Sequence, residues 1–169
     1  GQPLNTVQRL LVLVPPNADI EPGFARWVRA LANIATQAGA TMEVYAPERV
    51  SRKMEALRAR SGSSATITYF PVSDLKGYEV LRPRLKKDDL FILVSSRKGG
   101  PSYDRELDRI PSRLSLLPGQ SFIVLYPEQV PEQMAESSDL GGDSLARSLE
   151  GGVSSLLQIG RIIGRTFQK

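Results

Sequence analysis

Residues 88–128, DDLFILVSSRKGGPSYDRELDRIPSRLSLLPGQSFIVLYPE, decide the fold. Leu90-Phe-Ile-Leu-Val94 is a continuous apolar run, the pattern of a strand buried on both faces. Ser95 to Ser102 is a loop rich in Ser, Lys, Arg and Gly. Tyr103 to Leu117 then sets Leu107, Ile110, Leu114 and Leu117 at helical spacing, with Pro111 expected to bend the helix. Pro118-Gly119 turns the chain into a further apolar strand, Ser121 to Tyr126. In an open α/β sheet, the loop between the end of a strand and the start of a helix is where ligands bind.

The alternation extends upstream. Leu10 to Val14 is a second two-sided apolar run, stopped by Pro15-Pro16. Pro22 opens a helix whose Phe24, Val28, Leu31 and Ile34 share one face, and Gly39 closes it. Thr41 to Ala46 reads as a strand, and Glu48 to Arg60 as a basic helix with Val50, Met54 and Leu57 inward. Ala65 to Phe70 alternates in polarity, as a half-exposed edge strand does. A third helix is expected from about Asp74 to Arg82, interrupted or ended by Pro83.

Five strands separated by helices imply parallel pairing through right-handed crossovers. The fold class is therefore α/β, a doubly wound five-stranded parallel sheet. The expected division is a linker or tag remnant over 1–8, the α/β domain over 9–128, and a carboxyl-terminal tail over 129–169. In the tail, Val153, Leu156, Leu157, Ile159, Ile162, Ile163 and Phe167 allow an amphipathic helix. Gly1 in place of an initiating Met is read as a cleavage scar, so the chain is expected to be a fragment.

Composition excludes several chemistries. The 169 residues, 41% hydrophobic and 24% charged, suit one globular domain. There is no Cys, hence no disulfide, thiolate nucleophile or zinc-thiolate site. There is no His either, which removes the commonest general base and metal ligand. No catalytic residue and no metal site are expected. Asp104, Glu106 and Asp108, interleaved with Arg105 and Arg109, read as a solvated helix face. The net charge of +4 is concentrated in residues 1–129 and would suit an anionic ligand or surface. No basic motif with interleaved aromatics points to nucleic acid, and no apolar run is long enough to span a membrane.

The candidate ligand cradle is Ser95, Ser96, Arg97, Lys98, Gly99, Gly100 and Ser102, where backbone amides, hydroxyls and two cations can hold a phosphate. It lacks the glycine and lysine spacing of a P-loop and the dinucleotide fingerprint. If strands one and four are neighbours, Asn17 and Asp19 in the first-strand loop face it across the point where strand order reverses. The bland alternatives are a glycine turn for the first loop and a proline-stiffened turn for the second.

With these elements in order, the chain resembles the universal stress protein fold over residues 9–127. More narrowly, the run Asp89-Leu-Phe-Ile-Leu-Val-Ser-Ser-Arg-Lys-Gly99, followed by Leu107, Ile110-Pro111 and Ser121-Phe-Ile-Val-Leu-Tyr-Pro-Glu128, is similar to the cytosolic carboxyl-terminal domain of bacterial cation/proton antiporters. That resemblance implies a non-catalytic regulatory domain at the cytoplasmic face of the inner membrane, itself a soluble fragment. Its implied partners are the membrane domain of its own transporter, a second copy in a homodimer, and a nucleotide or other small anion. The alternative is a free-standing nucleotide-binding stress protein; an enzyme using Lys98 or a carboxylate is a third. The family's nucleotide binders carry an Asp just after the first strand and a glycine series after the fourth. Here Pro15-Pro16 stand at the first, and Ser102 and Tyr103 interrupt the second.

Overall fold

The computed structural model describes residues 6–117 and 119–128. The expectations for residues 1–5 and for the 129–169 tail lie outside the described residues.

Five strands, β1 (Arg9–Leu13), β2 (Thr41–Ala46), β3 (Ile67–Pro71), β4 (Asp89–Val94) and β5 (Ser121–Leu125), form one sheet. Every pairing is parallel and the order is β3-β2-β1-β4-β5. The apolar runs explain the centre of that order. β1 and β4 lie side by side, Leu10 opposite Leu90 and Val12 opposite Ile92, and all six residues of β4 are buried. A strand apolar on both faces is stable only with helices above and below it. β3 carries the alternating pattern and occupies an edge, with Thr68 exposed.

The two faces are packed by different helices. On one, Leu10, Val12, Val44, Ile92 and Val94 meet α1 (Phe24–Ala38) and α2 (Glu48–Ser61), through Trp27, Val28, Leu31, Val50 and Met54. On the other, Leu11, Leu13, Tyr45, Phe91 and Leu93 meet α3 (Gly77–Leu81) and α4 (Glu106–Leu114), through Tyr78, Leu81, Leu107, Ile110 and Leu114. The domain is thus a three-layer α/β fold with a five-stranded all-parallel sheet.

Two helices are shorter than their apolar spacing predicts. The helix expected from Asp74 begins only at Gly77, because the Asp74 carboxylate accepts the Lys76 N–H at 2.8 Å and holds a turn there. Beyond Leu81, the Pro83 segment continues as a tighter 3-10 turn over Arg82–Arg84. The helix expected from Tyr103 begins at Glu106, whose N–H is capped by Asp104 at 2.8 Å, and runs through Pro111 to Leu114.

A polar network closes the amino-terminal end of the sheet. The Arg9 guanidinium grips Asp89 with two bonds, Nε to Oδ1 at 3.0 Å and Nη2 to Oδ2 at 2.6 Å, and reaches Glu43 Oε1 at 3.0 Å. It thereby ties the three central strands at one level, and the Asp89 and Glu43 carboxylates raise its pKa further. The Tyr45 hydroxyl donates to Glu43 Oε2 at 3.0 Å while its ring stacks on Phe70 at 4.9 Å. Arg84 covers the Phe70 ring at 4.6 Å.

Two outcomes follow from this packing. Phe91→Ala, which removes a fully buried ring from the α3–α4 face, should cost about 3–5 kcal/mol in denaturant unfolding. Leu116→Ala, at an exposed position, should stay within about 0.5 kcal/mol of the parent. Burial, and then the bond to Glu43, push the Tyr45 phenol from 10.0 up to about 12. The folded state therefore holds this proton more tightly than the unfolded one. Its stabilising contribution is complete below about pH 10 and is lost as pH rises towards 12. Unfolding measured across that window should show the decline, and Tyr45→Phe should lessen it, with Tyr69 and Tyr78, whose phenols burial also shifts up, supplying the rest.

Candidate functional site

Strand order reverses at β1: β2 and β3 continue to one side, β4 and β5 to the other. The loops leaving the carboxyl ends of β1 and β4 therefore diverge onto opposite faces and frame a crevice between them. The β1 loop runs from Val14 to Gly23 and includes a 3-10 turn at Ala18–Ile20. The β4 loop runs from Ser95 to Arg105.

The β4 loop is a compact turn. Gly100 N–H donates to Arg97 O at 2.9 Å, and Gly99 takes φ +92°, a conformation that a side chain at that position would resist. Ser95, Ser96 and Ser102 are buried, whereas Arg97, Lys98 and Gly99 are exposed. The Ser95 N–H is already engaged by Leu125 O at 2.8 Å, extending the β4–β5 ladder. The Arg97 and Lys98 cations carry no ion pair among the described residues.

The floor of the crevice is filled by Glu21. Its Oε1 accepts the Ser102 hydroxyl at 2.6 Å, the Ser96 hydroxyl at 3.0 Å and the Ser102 backbone N–H at 3.1 Å. Glu21 is 4% exposed and has no cationic partner among the described residues. Its seat also explains Gly100. A methyl group there would run into Ser96 Oγ and stand 3.0 Å from Glu21 Oε1, so the backbone approaches because the side chain is missing. Behind this contact, Gly23 lets Glu128 pass: a Cβ at Gly23 would lie 2.8 Å from Glu128 N. Arg26 and Glu128 pair beside it.

The expected residues separate into two groups. Asn17, left-handed at φ 64°, reaches the β4 loop through Nδ2 to Pro101 O at 3.4 Å, and its Oδ1 accepts Arg49 Nη2 at 3.0 Å. It joins Ser96, Arg97, Lys98, Gly99, Gly100 and Ser102 at one end of the sheet. Asp19 shares the tie to Arg49 of α2 but makes no bond to the β4 loop among the described residues. Its buried carboxylate pairs with Arg49 at 3.0 Å and Lys53 at 2.7 Å, so both oxygens are committed to the chain's own cations. Sequence reasoning missed Glu21. Its partners lie 75 and 81 residues away, and nothing local distinguishes it from a solvated acid before Pro22.

Two clefts lie away from the crevice. One, of about 200 Å³, is lined by Thr36, Gly39, Thr41, Ser64 and Thr66. The other, of about 360 Å³, lies among Glu79, Arg82, Pro83 and Leu117. No group of three or more acidic, His or Cys side chains is placed to hold a metal ion among the described residues. Asp104, Glu106 and Asp108 are each engaged separately: Asp104 by the Glu106 N–H, Glu106 by Arg109 and Arg113, and Asp108 by the Tyr103 hydroxyl. No helix among the described residues is long and apolar enough to cross a membrane.

No family model, curated protein or solved structure matches the chain. At the crevice two hydroxyls and an amide converge on one carboxylate oxygen, and the exposed Arg97 and Lys98 of the same loop have no ion pair among the described residues. Gly100→Ala should lower stability by about 1–3 kcal/mol, because the added methyl must displace Ser96 or Glu21. Thermal or denaturant unfolding reads this directly.

Proposed function

We propose that this chain is a non-catalytic, universal stress protein-like regulatory domain of a cation/proton antiporter, acting on the cytoplasmic side of the membrane. In this reading an anionic ligand, a nucleotide or a small oxyanion, binds at the carboxyl end of β1 and β4. The observation that carries it is the β4 loop. Its hydroxyls and amide are arranged as donors around an anion, and Arg97 and Lys98 stand exposed beside them.

Several features support a binding role over turnover. The chain has neither His nor Cys. The two carboxylates nearest the crevice are engaged, Asp19 by Arg49 and Lys53 and Glu21 by the β4 loop, so neither is free as a general base. The assignment to an antiporter rests on the similarity of residues 89–128 to such domains. Regulation then works by differential affinity: a ligand shifts the transporter towards whichever state holds this domain in its ligand-binding form. Dimerisation with a second copy offers the route by which one domain's state reaches the transporter.

Isothermal titration of the 169-residue chain with adenine nucleotides and cyclic dinucleotides tests the proposal. Saturable binding is expected, weakened about tenfold or more in Arg97→Ala/Lys98→Ala, since a lost charge-assisted contact is worth about 1.5–3 kcal/mol. No heat with any of them would leave the domain a purely structural role. The reading frame decides the attachment: an upstream bundle of apolar helices is expected, and a frame opening near residue 1 would favour a free-standing stress protein.

A further inference from the structure

We infer that Glu21 is a displaceable internal occupant of an oxyanion seat, and that the external ligand competing for the seat presents a phosphate or carboxylate group. This rests on the reading of the crevice as the ligand-binding end of the domain, and it names what the ligand must do there.

The donor set is complete without Glu21. All three bonds to Oε1 come from the β4 loop, and two of them are from hydroxyls that can reorient towards a differently placed oxygen. A carboxylate is an unfavourable choice for a purely structural pin. Burying its charge without a counter-ion is costly, and three neutral donors offset that cost only in part. Asp19, two residues earlier in the same loop, provides the contrast. It is buried against two cations, Arg49 and Lys53, as a structural carboxylate requires. Arg26, the nearest cation in sequence, pairs with Glu128, and Arg97 and Lys98 of the β4 loop that holds Glu21 are exposed and unpaired among the described residues. Such an arrangement suits an incoming anion that brings more than one negative oxygen: one set of oxygens for the buried donors, another for the rim.

The loop bearing Glu21 stays anchored through buried Ala18 and the Asp19 pairs with Arg49 and Lys53, so displacement asks only the Glu21 side chain to swing out. That residue lies between Pro15-Pro16 and Pro22-Gly23, and its neighbour Ile20 is 54% exposed. While Glu21 is seated, the apparent affinity for an external oxyanion falls in proportion to the fraction of open molecules. A seat filled more than about nine-tenths of the time weakens binding about tenfold or more.

The test uses the 169-residue chain and its Glu21→Gly variant, titrated with inorganic phosphate and with acetate at constant ionic strength balanced by chloride. Glu21→Gly should melt below the parent, regain melting temperature saturably with either anion, and bind about tenfold or more tightly than the parent. Adding Ser102→Ala to it should abolish the gain. A folded Glu21→Gly that shows no saturable response to either anion overturns the inference. If that variant does not fold, the parent decides. A saturable shift of the Ser102 amide resonance with phosphate supports displacement, and an unmoved resonance overturns it. Nucleotide binding that needs Arg97 and Lys98 but leaves the Ser102 amide unmoved would overturn the exchange alone, leaving the domain's proposed role intact.

Discussion

One carboxylate holds the β1 and β4 loops of this domain in their observed form. Glu21 leaves the β1 loop, enters the β4 loop and accepts three hydrogen bonds there. Each charge-assisted bond of this kind contributes about 1.5–3 kcal/mol when its partner would otherwise be buried unsatisfied. The position of Ser102, the need for glycine at 100, and the closeness of the two loops all depend on this contact. The sheet creates the crevice, and Glu21 determines what room remains in it.

The contact is possible because β1 and β4 are neighbours. Parallel pairing in register, Arg9 with Asp89 through Leu13 with Leu93, brings both strands to their carboxyl ends at the same height. At the opposite end the Arg9–Asp89–Glu43 cluster fixes that register, because a slip of one residue would separate the guanidinium from its bidentate partner and turn apolar residues to the wrong face. The two polar clusters thus act at opposite ends of the same strand pair. One sets the register, and the other turns that register into a closed site.

Much of the architecture was legible from residue pattern. The two-sided apolar runs at 10–14 and 90–94 identify the central strands, and the alternation over 65–70 identifies an edge. Helix ends were less legible. Asp74 and Asp104 each divert the backbone into a side-chain-held turn, so both helices start later than their apolar spacing suggests. The site was half legible. Strand–loop–helix order locates the β4 loop at the carboxyl end of the sheet, beside the β1 loop. The tie between Asp19 and α2, and above all the insertion of Glu21, arise from tertiary proximity that local pattern does not encode.

These contacts describe a domain whose β1 and β4 loops are held together at the carboxyl end of the sheet by one buried carboxylate. Hydrogen exchange at the Ser102 amide is the most direct measure of that state. This N–H lies in a loop between β4 and α4 and donates to Glu21 Oε1. The account predicts slow exchange in the parent chain, well below the rate of the exposed Lys98 amide, and fast exchange in Glu21→Gln/Ser96→Ala, where the seat is weakened. Exchange at Ser102 as fast as at Lys98 in the parent would show that Glu21 does not occupy the seat, and would contradict the account.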